Sequence, residues 1–300
     1  MTTWFSSPSA AAASLAEAGY LADQATATTA YLAGTLEKPL LVEGPAGVGK
    51  TELAKAVARA CDAELVRLQC YEGLDEARAL YEWNYKKQLL YIQASTAGHA
   101  ATTAGDQGSG PGPVENWSEN IFGEEFLLTR PLLTAIRRTT PTVLLVDEVD
   151  KTDVEVEGLL LEVLSDFQVT IPELGTVVAA RRPFVVLTSN AARELSEAVK
   201  RRCLYLHLDY PSAERERAIV SAQVPGLPDK VAKQLVEVVA RLRELELKKA
   251  PSIAESVDWA RTLIALEVGS LSEDVIASTL GVILKHVSDQ ERAVRELRLR

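Results

Sequence analysis

The feature that most constrains the fold of this chain is a stretch with the pattern G-x-x-x-x-G-K-T, at Gly44-Pro45-Ala46-Gly47-Val48-Gly49-Lys50-Thr51. An apolar segment, 40–42, precedes it, and a segment of helical composition, 52–59, follows it. Glycines let the backbone curl until its N–H groups point at one anion, and the following helix adds the positive end of its dipole. The order of strand, glycine-rich loop and helix therefore predicts a phosphate-binding P-loop in an α/β domain.

The end of this loop carries the residues expected to hold a nucleotide. Lys50 is expected to reach the β- and γ-phosphates, and the hydroxyl of Thr51 to ligate Mg²⁺. Glu52 follows directly and is counted with the nucleotide-contacting residues. The alternative is a chance match to the pattern, which the flanking strand and helix disfavour. ATP and Mg²⁺ are therefore the predicted cofactors.

Composition narrows the class of protein further. The chain has 300 residues, 47% of them hydrophobic and 25% charged, which suits one large globular domain or two smaller ones. Its formal net charge of -10 argues against nonspecific binding to nucleic acid, which needs a basic surface. Cys61, Cys70 and Cys203 form no C-x-x-C pair, which indicates a reducing compartment. With no signal peptide and no apolar run long enough to span a membrane, a cytoplasmic location is expected.

Short apolar segments alternate with helical ones in the first 210 residues. The expected strands are 40–42, 64–68, 142–146, 183–188 and 204–208, and residues 8–32 are expected to form one helix. This alternation predicts a five-stranded parallel sheet with helices on both faces. After Pro211 only helical patterns follow, at 212–224, 229–247, 252–267, 271–286 and 288–299. We therefore expect an α/β domain at 1–210 and a small all-α lid domain at 211–300.

Local patterns add detail to this division. Residues 94–118 are rich in Gly, Ala, Ser and Thr and predict a flexible loop, and residues 167–180 predict a β-hairpin insert. Capping boxes of the form S-x-x-E are expected to start three lid helices. They lie at Ser252 and Glu255, Ser270 and Glu273, and Ser288 and Glu291.

A second group of candidate site residues follows the apolar segment 143–146. Asp147 comes directly after it and is expected to hold Mg²⁺ through water, as a Walker B aspartate does. Glu148 is then placed to orient or deprotonate the attacking water, which favours hydrolysis over simple nucleotide binding. Because Asp150 and Asp153 follow closely, the alternative is a solvated acidic strand end.

Two later segments make the chain resemble the AAA+ ATPases. Asn190 ends the apolar segment 184–189, and Arg201 and Arg202 precede the last strand. The resemblance implies that Asn190 is the sensor 1 residue, which helps position water near the γ-phosphate. It also implies that Arg202, or else Arg201, is an arginine finger reaching the nucleotide of the next subunit in a closed homo-oligomeric ring, usually a hexamer. The alternatives are a strand-terminating turn and a solvated helix end.

The resemblance extends to one branch of that family. The predicted hairpin, the string 159–164 and the string 201–206 resemble the MoxR proteins, and residues 70–92 resemble CoxD-type members in particular. MoxR proteins commonly work with a partner that contains a von Willebrand A domain. CoxD-type members are associated with the maturation of molybdenum hydroxylases such as carbon monoxide dehydrogenase. The resemblance thus implies a von Willebrand A partner and a protein client of the molybdenum hydroxylase kind.

The lid departs from the family pattern at the position of a sensor 2 arginine. Ala254 stands there, and Arg261 lies seven residues further on, two turns along the same helix face. Arg261 is either a substitute or a surface residue. Two other groups keep two interpretations each. The aromatic residues Tyr71, Tyr81, Trp83, Tyr85 and Tyr91 form a substrate surface or belong to the core. The basic residues of 292–300 form a functional stripe or a solvated face.

Together these patterns predict an ATPase that hydrolyses ATP in a ring and uses the cycle to remodel a protein client. A second interpretation is a nucleotide-gated scaffold that binds ATP with little turnover and whose output is partner docking. A third, a nucleic-acid motor or loader, is disfavoured by the net charge of -10.

Overall fold

The computed structural model describes the backbone of residues 4–102 and 121–298 and the side chains of residues 4–94 and 121–298. The strands in this part of the chain are β1 (Leu40–Glu43), β2 (Glu64–Gln69), β3 (Tyr81–Trp83), β4 (Leu127–Thr129), β5 (Thr142–Asp147), β6 (Gln168–Ile171), β7 (Gly175–Val178), β8 (Phe184–Ser189) and β9 (Leu204–His207).

The α-helices divide between the two parts of the molecule. Those before β9 are α1 (Pro8–Glu17), α2 (Gln24–Thr35), α3 (Lys50–Ala60), α4 (Glu76–Ala79), α5 (Tyr85–Thr102), α6 (Pro131–Arg137), α7 (Val154–Asp166) and α8 (Glu197–Arg202). Those after it are α9 (Ala213–Gln223), α10 (Asp229–Arg243), α11 (Ile253–Ala265), α12 (Glu273–Ile283) and α13 (Val287–Leu297).

Five strands form one parallel sheet in the order β2-β5-β8-β1-β9, which confirms the predicted sheet. Every residue of β5 and β8 is buried, as expected for apolar strands covered on both faces. Alternate residues of β5 enter different cores: Val143 and Leu145 pack with the helices α1 to α3, whereas Leu144 and Val146 pack with α6 and α7. The candidate acids therefore follow a rigid central strand.

The helix expected at 8–32 is wrong as a single element. The structure has α1 and α2 with a turn between them, because Gly19 adopts φ +83° and ends the first helix. Asp23 then caps the second helix by accepting a hydrogen bond from the backbone N–H of Thr26 at 2.7 Å. An Ala- and Leu-rich composition concealed these two stop and start signals.

The segments inserted into the α/β part agree only partly with expectation. β6 and β7 pair antiparallel within the segment predicted as a hairpin. The loop predicted at 94–118 is wrong in its first part, since α5 continues to Thr102, and residues 103–118 lie outside the described residues. The Ala residues of 94–102 favour helix, and this outweighs the Gly, Ser and Thr beside them.

The C-terminal helices enclose a separate hydrophobic core, in which Trp259, Leu235 and Leu263 are fully buried. β9 ends at His207 and α9 begins at Ala213, so the connection between the two parts spans the predicted boundary near residue 210. The helical region therefore has the make-up of the predicted lid.

The structure confirms one of the three predicted capping boxes. Ser252 and Glu255 form the reciprocal pair at the start of α11, whereas the other two caps are wrong. The hydroxyl of Ser270 hydrogen-bonds to Gln234, and Ser272 caps α12 instead. Ser288 already lies inside α13.

Candidate functional site

The P-loop connects β1 to α3 and lies in close contact with two other backbone segments. A Cβ atom on Gly44 would lie 1.9 Å from the carbonyl oxygen of Leu208, which follows β9. A Cβ atom on Gly47, whose φ is +76°, would lie 2.3 Å from the Cβ of Ser252 at the start of α11. Only glycine fits at either place. The loop is thus packed against the sheet on one side and the lid on the other.

Lys50, the first residue of α3, is buried inside this loop. Its Nζ donates to the carbonyl oxygens of Gly44 and Pro45, both at 2.7 Å, and to Oδ1 of Asn190 at 2.8 Å. Burial lowers the pKa of Lys50, and the neighbouring carboxylates oppose this effect. The two residues predicted to face the γ-phosphate from different strands are therefore in contact.

Asp147, at the end of β5, lies beside the Thr51 hydroxyl as predicted for a Mg²⁺ site. Its Oδ1 accepts hydrogen bonds from Thr51 at 2.9 Å and from Thr188 at 2.6 Å. Its Oδ2 accepts from Nη2 of Arg67 at 2.5 Å. Oxygen ligands from one carboxylate and one hydroxyl, with water in the remaining positions, suit Mg²⁺. These two residues therefore fit the implied metal ion.

Glu148 adopts φ 59°, a left-handed conformation, which turns its side chain out of the strand direction and into the site. Its carboxylate accepts hydrogen bonds from Gln69 at 2.9 Å, Lys151 at 2.8 Å and Asn190 at 3.3 Å. Asn190 thus bridges Lys50 and Glu148. The predicted sensor, base and phosphate-binding lysine form one connected chain of polar contacts.

The sequence analysis assigned no role in the site to three of its polar residues, Arg67, Gln69 and Asp150. Arg67 and Gln69 lie on the edge strand β2, and Gln69 is the partner of Asp147 in the register. The carboxyl ends of neighbouring parallel strands meet at one edge, so the last residues of β2 could have been included. Asp150 is 4% exposed, not solvated, and accepts from the N–H groups of Asn190 and Ala192.

A cavity of about 770 Å³ surrounds these groups. Its walls contain the P-loop, the two acids, Arg67 and Gln69, and also residues of the lid helix α11. Ala254 and Arg261 are both among them, so the structure brings Arg261 to the cavity although its side chain is 61% exposed. Arg261 pairs with Asp258 at 3.3 Å. Arg261 thus lines this cavity and is also largely exposed to solvent.

A second, more apolar cavity of about 460 Å³ adjoins the first. The turn between α1 and α2 supplies Tyr20 and Leu21, the segment after β9 supplies Tyr210, and the lid supplies Ile219 and Ile253. Burial raises the pKa of Tyr20, so its hydroxyl stays neutral. A mostly apolar lining with a few polar groups is typical of a site for a small molecule. The sequence contained no motif for it, because its residues come from three distant segments.

The two candidate arginine fingers lie at the end of α8 and do not line this cavity within the part of the chain that the structure describes. Arg201 is 80% exposed and pairs with Glu197 at 3.8 Å. Arg202 folds back onto its own subunit, donating to Ser165 and to the carbonyl oxygen of Ala198. Both side chains are exposed, and Arg201 makes the longer contact of the two, its 3.8 Å ion pair with Glu197.

The aromatic group predicted as a substrate surface or core is divided between the core and the exposed surface, and its exposed members remain candidates for a substrate surface. Trp83 is 7% exposed and packs edge-on against Tyr81 and Phe122, so it is core. Tyr71 and Tyr85 are exposed, at 41% and 62%. The C-terminal basic residues are solvated where described, with Arg292 paired to Glu246 at 3.0 Å.

A P-loop against a parallel sheet, two acids at the end of the interior strand β5 and a helical lid over the cavity define a P-loop ATPase of the AAA+ type. A family model described as the AAA domain (dynein-related subfamily) matches residues 39–203, more than half of the chain. The chain therefore belongs to this family of ATP-hydrolysing proteins.

Curated relatives are chaperones from bacteria and chloroplasts. The chain is 31% identical to the chaperone protein ClpB of Corynebacterium glutamicum over 203 residues, 63% of this chain and 20% of that protein. It is 29% identical to ClpB of Streptomyces albus G over 257 residues, 85% of this chain and 25% of that protein. It is 26% identical to the chloroplastic chaperone protein ClpC of Pisum sativum over 225 residues, 71% of this chain and 20% of that protein. The matches thus span at most a quarter of these relatives.

Neither a membrane-spanning helix nor a cluster of three or more His, Cys, Asp and Glu side chains suited to a metal ion occurs among the described residues.

Proposed function

We propose that this protein binds ATP with Mg²⁺ in the two adjoining cavities and uses its hydrolysis to remodel a protein client. The observation that carries the proposal is the contact chain Lys50–Asn190–Glu148 at the carboxyl end of the sheet. We assign these three residues the roles of phosphate ligand, sensor and base. A nucleotide-binding protein without turnover has no need of a carboxylate held beside the terminal phosphate. The chaperone names of the relatives support a protein as the client.

Each residue of the contact chain has a role in this proposal. Lys50 and the P-loop N–H groups hold the phosphates, and Thr51 and Asp147 hold the metal ion. When bound, Mg²⁺ neutralises charge on the β- and γ-phosphates. Glu148 accepts the proton of the attacking water, and Asn190, through its contacts with Lys50 and Glu148, fixes where that water stands.

Replacing Glu148 by glutamine tests this assignment. The amide keeps the shape of the side chain but cannot accept the proton, so ATP binding is expected to persist while turnover falls at least about 100-fold. Glu155→Gln on the exposed face of α7 is the matched control and is expected to leave turnover unchanged. Unimpaired hydrolysis in Glu148→Gln would remove the residue from the mechanism.

Ring assembly is the second part of the proposal. A closed homo-oligomer, a hexamer in most relatives of this type, would bring Arg202 or Arg201 of one subunit to the ATP of the next, where a guanidinium stabilises the charge of the transferred phosphoryl group. Arg201 has only an ion pair of 3.8 Å to release, whereas Arg202 makes hydrogen bonds within its own subunit, which favours Arg201 of the two candidates. Mixing Arg201→Ala subunits with Lys50→Ala subunits is expected to change activity non-additively, with Arg202→Ala mixtures as the comparison. Strictly additive mixing of both would argue against an arginine acting in trans.

A place in the MoxR branch, close to its CoxD-type members, is the finest level of the proposal. Its support is the paired β6–β7 segment between Asp147 and Asn190 together with the residue pattern of 70–92. The proposal then includes a von Willebrand A domain partner, a molybdenum hydroxylase as client and, with three unpaired cysteines, a cytoplasmic location. Co-purification from the native host, followed by ATPase assays with and without the captured partner, tests it. Capture without any von Willebrand A protein would contradict it.

One observation supports a nucleotide-gated scaffold as the second candidate. The Glu148 carboxylate accepts hydrogen bonds from Gln69 and Lys151 as well as from Asn190, and these occupy lone pairs that would otherwise accept the proton of the attacking water. Steady-state phosphate release compared with ring formation separates the two functions, because a scaffold assembles with ATP while releasing little phosphate.

A further inference from the structure

An arginine on the edge strand touches the carboxylate predicted to hold Mg²⁺. Arg67 and Gln69 lie two residues apart on β2 and therefore project from the same face. Nη2 of Arg67 donates to Oδ2 of Asp147 at 2.5 Å and also to the side-chain oxygen of Gln69. Gln69 in turn donates to Glu148 at 2.9 Å. One guanidinium is thus linked directly to the first acid and through an amide to the second.

Asp147 is buried, so its carboxylate depends on nearby positive charge such as that of Arg67. The side chain is 3% exposed, and its other oxygen already accepts from Thr51 and Thr188. A buried carboxylate needs compensating charge, which Arg67 supplies. A Mg²⁺ ion held by Thr51 and Asp147 would also supply positive charge to this carboxylate. Two cations beside one buried carboxylate repel each other, so the Arg67 contact disfavours the metal ion and the metal ion disfavours the contact.

Arg67 is able to give way because its side chain is 47% exposed and its backbone lies on the outermost strand of the sheet. Nη2 of Arg67 donates both to Asp147 and to Gln69, so an outward swing gives up both contacts. The outward position therefore loses one half-exposed ion pair and one hydrogen bond to an amide.

We propose that Arg67 competes with Mg²⁺ for Asp147 and so sets the Mg²⁺ concentration at which nucleotide is held in its hydrolysable form. This inference rests on the nucleotide site of the proposed function. It assigns Arg67 the part of a positioning residue that acts on the metal carboxylate. A residue that binds phosphate in the same cavity would behave differently, since it would raise nucleotide affinity with or without metal.

The test measures binding of the fluorescent, non-hydrolysable nucleotide mant-AMP-PNP, first in EDTA and then across a Mg²⁺ titration. Arg67→Gln is expected to lower the Mg²⁺ concentration at half-saturation roughly two- to fivefold, the range of a partly exposed ion pair. Its affinity for the metal-free nucleotide is expected to stay within about twofold of the wild type. Arg67→Lys, which keeps the charge, is expected to lie close to the wild type.

Arg59→Gln is the matched control. Arg59 lines the same cavity with a side chain that is 49% exposed, but it pairs with Glu52 and does not touch Asp147. Its replacement removes the same charge and is expected to leave the Mg²⁺ midpoint unchanged. Because free nucleotide binds Mg²⁺ equally in every sample, any difference between variants belongs to the protein.

Three results would overturn the inference: a weaker metal-free affinity in Arg67→Gln, an unchanged or raised Mg²⁺ midpoint, or an equal shift in Arg59→Gln. The first would make Arg67 a phosphate ligand. The proposed function fails separately, by the absence of nucleotide binding in the wild-type protein. If Arg67→Gln does not fold, Arg67→Lys still decides the matter, because a midpoint far from that of the wild type would contradict competition by charge.

Discussion

The lid depends on one buried ion pair, between Glu216 of α9 and Arg243 of α10. Glu216 is 1% exposed and Arg243 is 13% exposed, and two hydrogen bonds of 2.5 and 2.9 Å join them side by side. Ser256 of α11 donates to the same carboxylate at 2.7 Å. The carboxylate therefore ties three of the lid helices together, and the change considered is Glu216→Ala.

The structure sets the size of the effect. Removing one partner of a buried pair costs about 3–5 kcal/mol, because the other charge stays buried without compensation. Here the guanidinium keeps a hydrogen bond to the carbonyl oxygen of Pro251 at 2.8 Å and lies 4.5 Å from the ring centroid of Tyr210. We therefore expect a loss of about 3 kcal/mol, the lower end of that range. For a unit of fewer than 100 residues this lowers the Tm by about 12 °C or more.

The assay is thermal and urea unfolding of Glu216→Ala beside Glu246→Ala. Glu246 pairs with Arg292 on the surface, where the loss is expected to be under about 1 kcal/mol. A double variant with methionine at Glu216 and Arg243 is expected to recover most of the loss, because no unpaired charge remains. Equal destabilisation by the two alanine variants, or no recovery in the double variant, would refute the reasoning.

Three further predictions concern the contact between the lid and the nucleotide. Gly47→Ala is expected to weaken ATP binding at least about tenfold in equilibrium titrations, because its Cβ would overlap Ser252 in a left-handed backbone; unchanged binding would show that the loop and lid separate freely. Arg261→Ala is expected to weaken binding of ATP more than that of ADP, as measured by competition, because a cavity cation acts on the added phosphate charge; equal effects would leave it a surface residue. Burial raises the pKa of Glu255, but hydrogen bonds from Ser252 and Lys249 outweigh it and hold the pKa below its ordinary 4.5. Its carboxylate then stabilises α11 above pH 4.5 and loses this effect as the pH falls through the lowered pKa, so the Tm advantage over Glu255→Gln should vanish in acid.

Sequence patterns located the sheet well because its central strands are continuous apolar runs. β5 and β8 began and ended within one residue of expectation, and a buried parallel strand has no other common composition. The P-loop and the acids followed from the same strands. The carboxyl ends of neighbouring parallel strands lie at one edge of the sheet. Residues that follow such strands in the sequence, among them Lys50, Asp147 and Asn190, could therefore be predicted to lie close together.

Residues whose role depends on distant contacts were beyond local patterns. Sequence patterns indicated no role for Asp150 beyond the alternative of a solvated acidic strand end, whereas in the structure it is buried and accepts hydrogen bonds from the backbone N–H groups of Asn190 and Ala192. Tyr20, in the turn after α1, and Tyr210, in the segment after β9, line one cavity only because the fold brings these two distant segments together. The break at Gly19 was hidden for another reason, since composition alone does not reveal a positive φ. The burial of Asp150, the meeting of the two tyrosines and the break at Gly19 depend on tertiary contacts or backbone geometry, which a periodic pattern in the sequence does not report.

The missing arginine at Ala254 does not leave the lid isolated from the nucleotide site. Gly47 of the P-loop packs directly on Ser252, the cap of α11, so this helix starts against the phosphate loop itself. On the base side, Arg215 of α9 pairs with Asp23 at 2.6 Å and so joins the lid to the turn after α1. Ile253 lines both cavities. In the proposed function, a nucleotide that fills both cavities would contact the lid on both sides. Backbone packing at Gly47 and the Arg215–Asp23 ion pair therefore connect the lid of this chain to both cavities without an arginine at position 254.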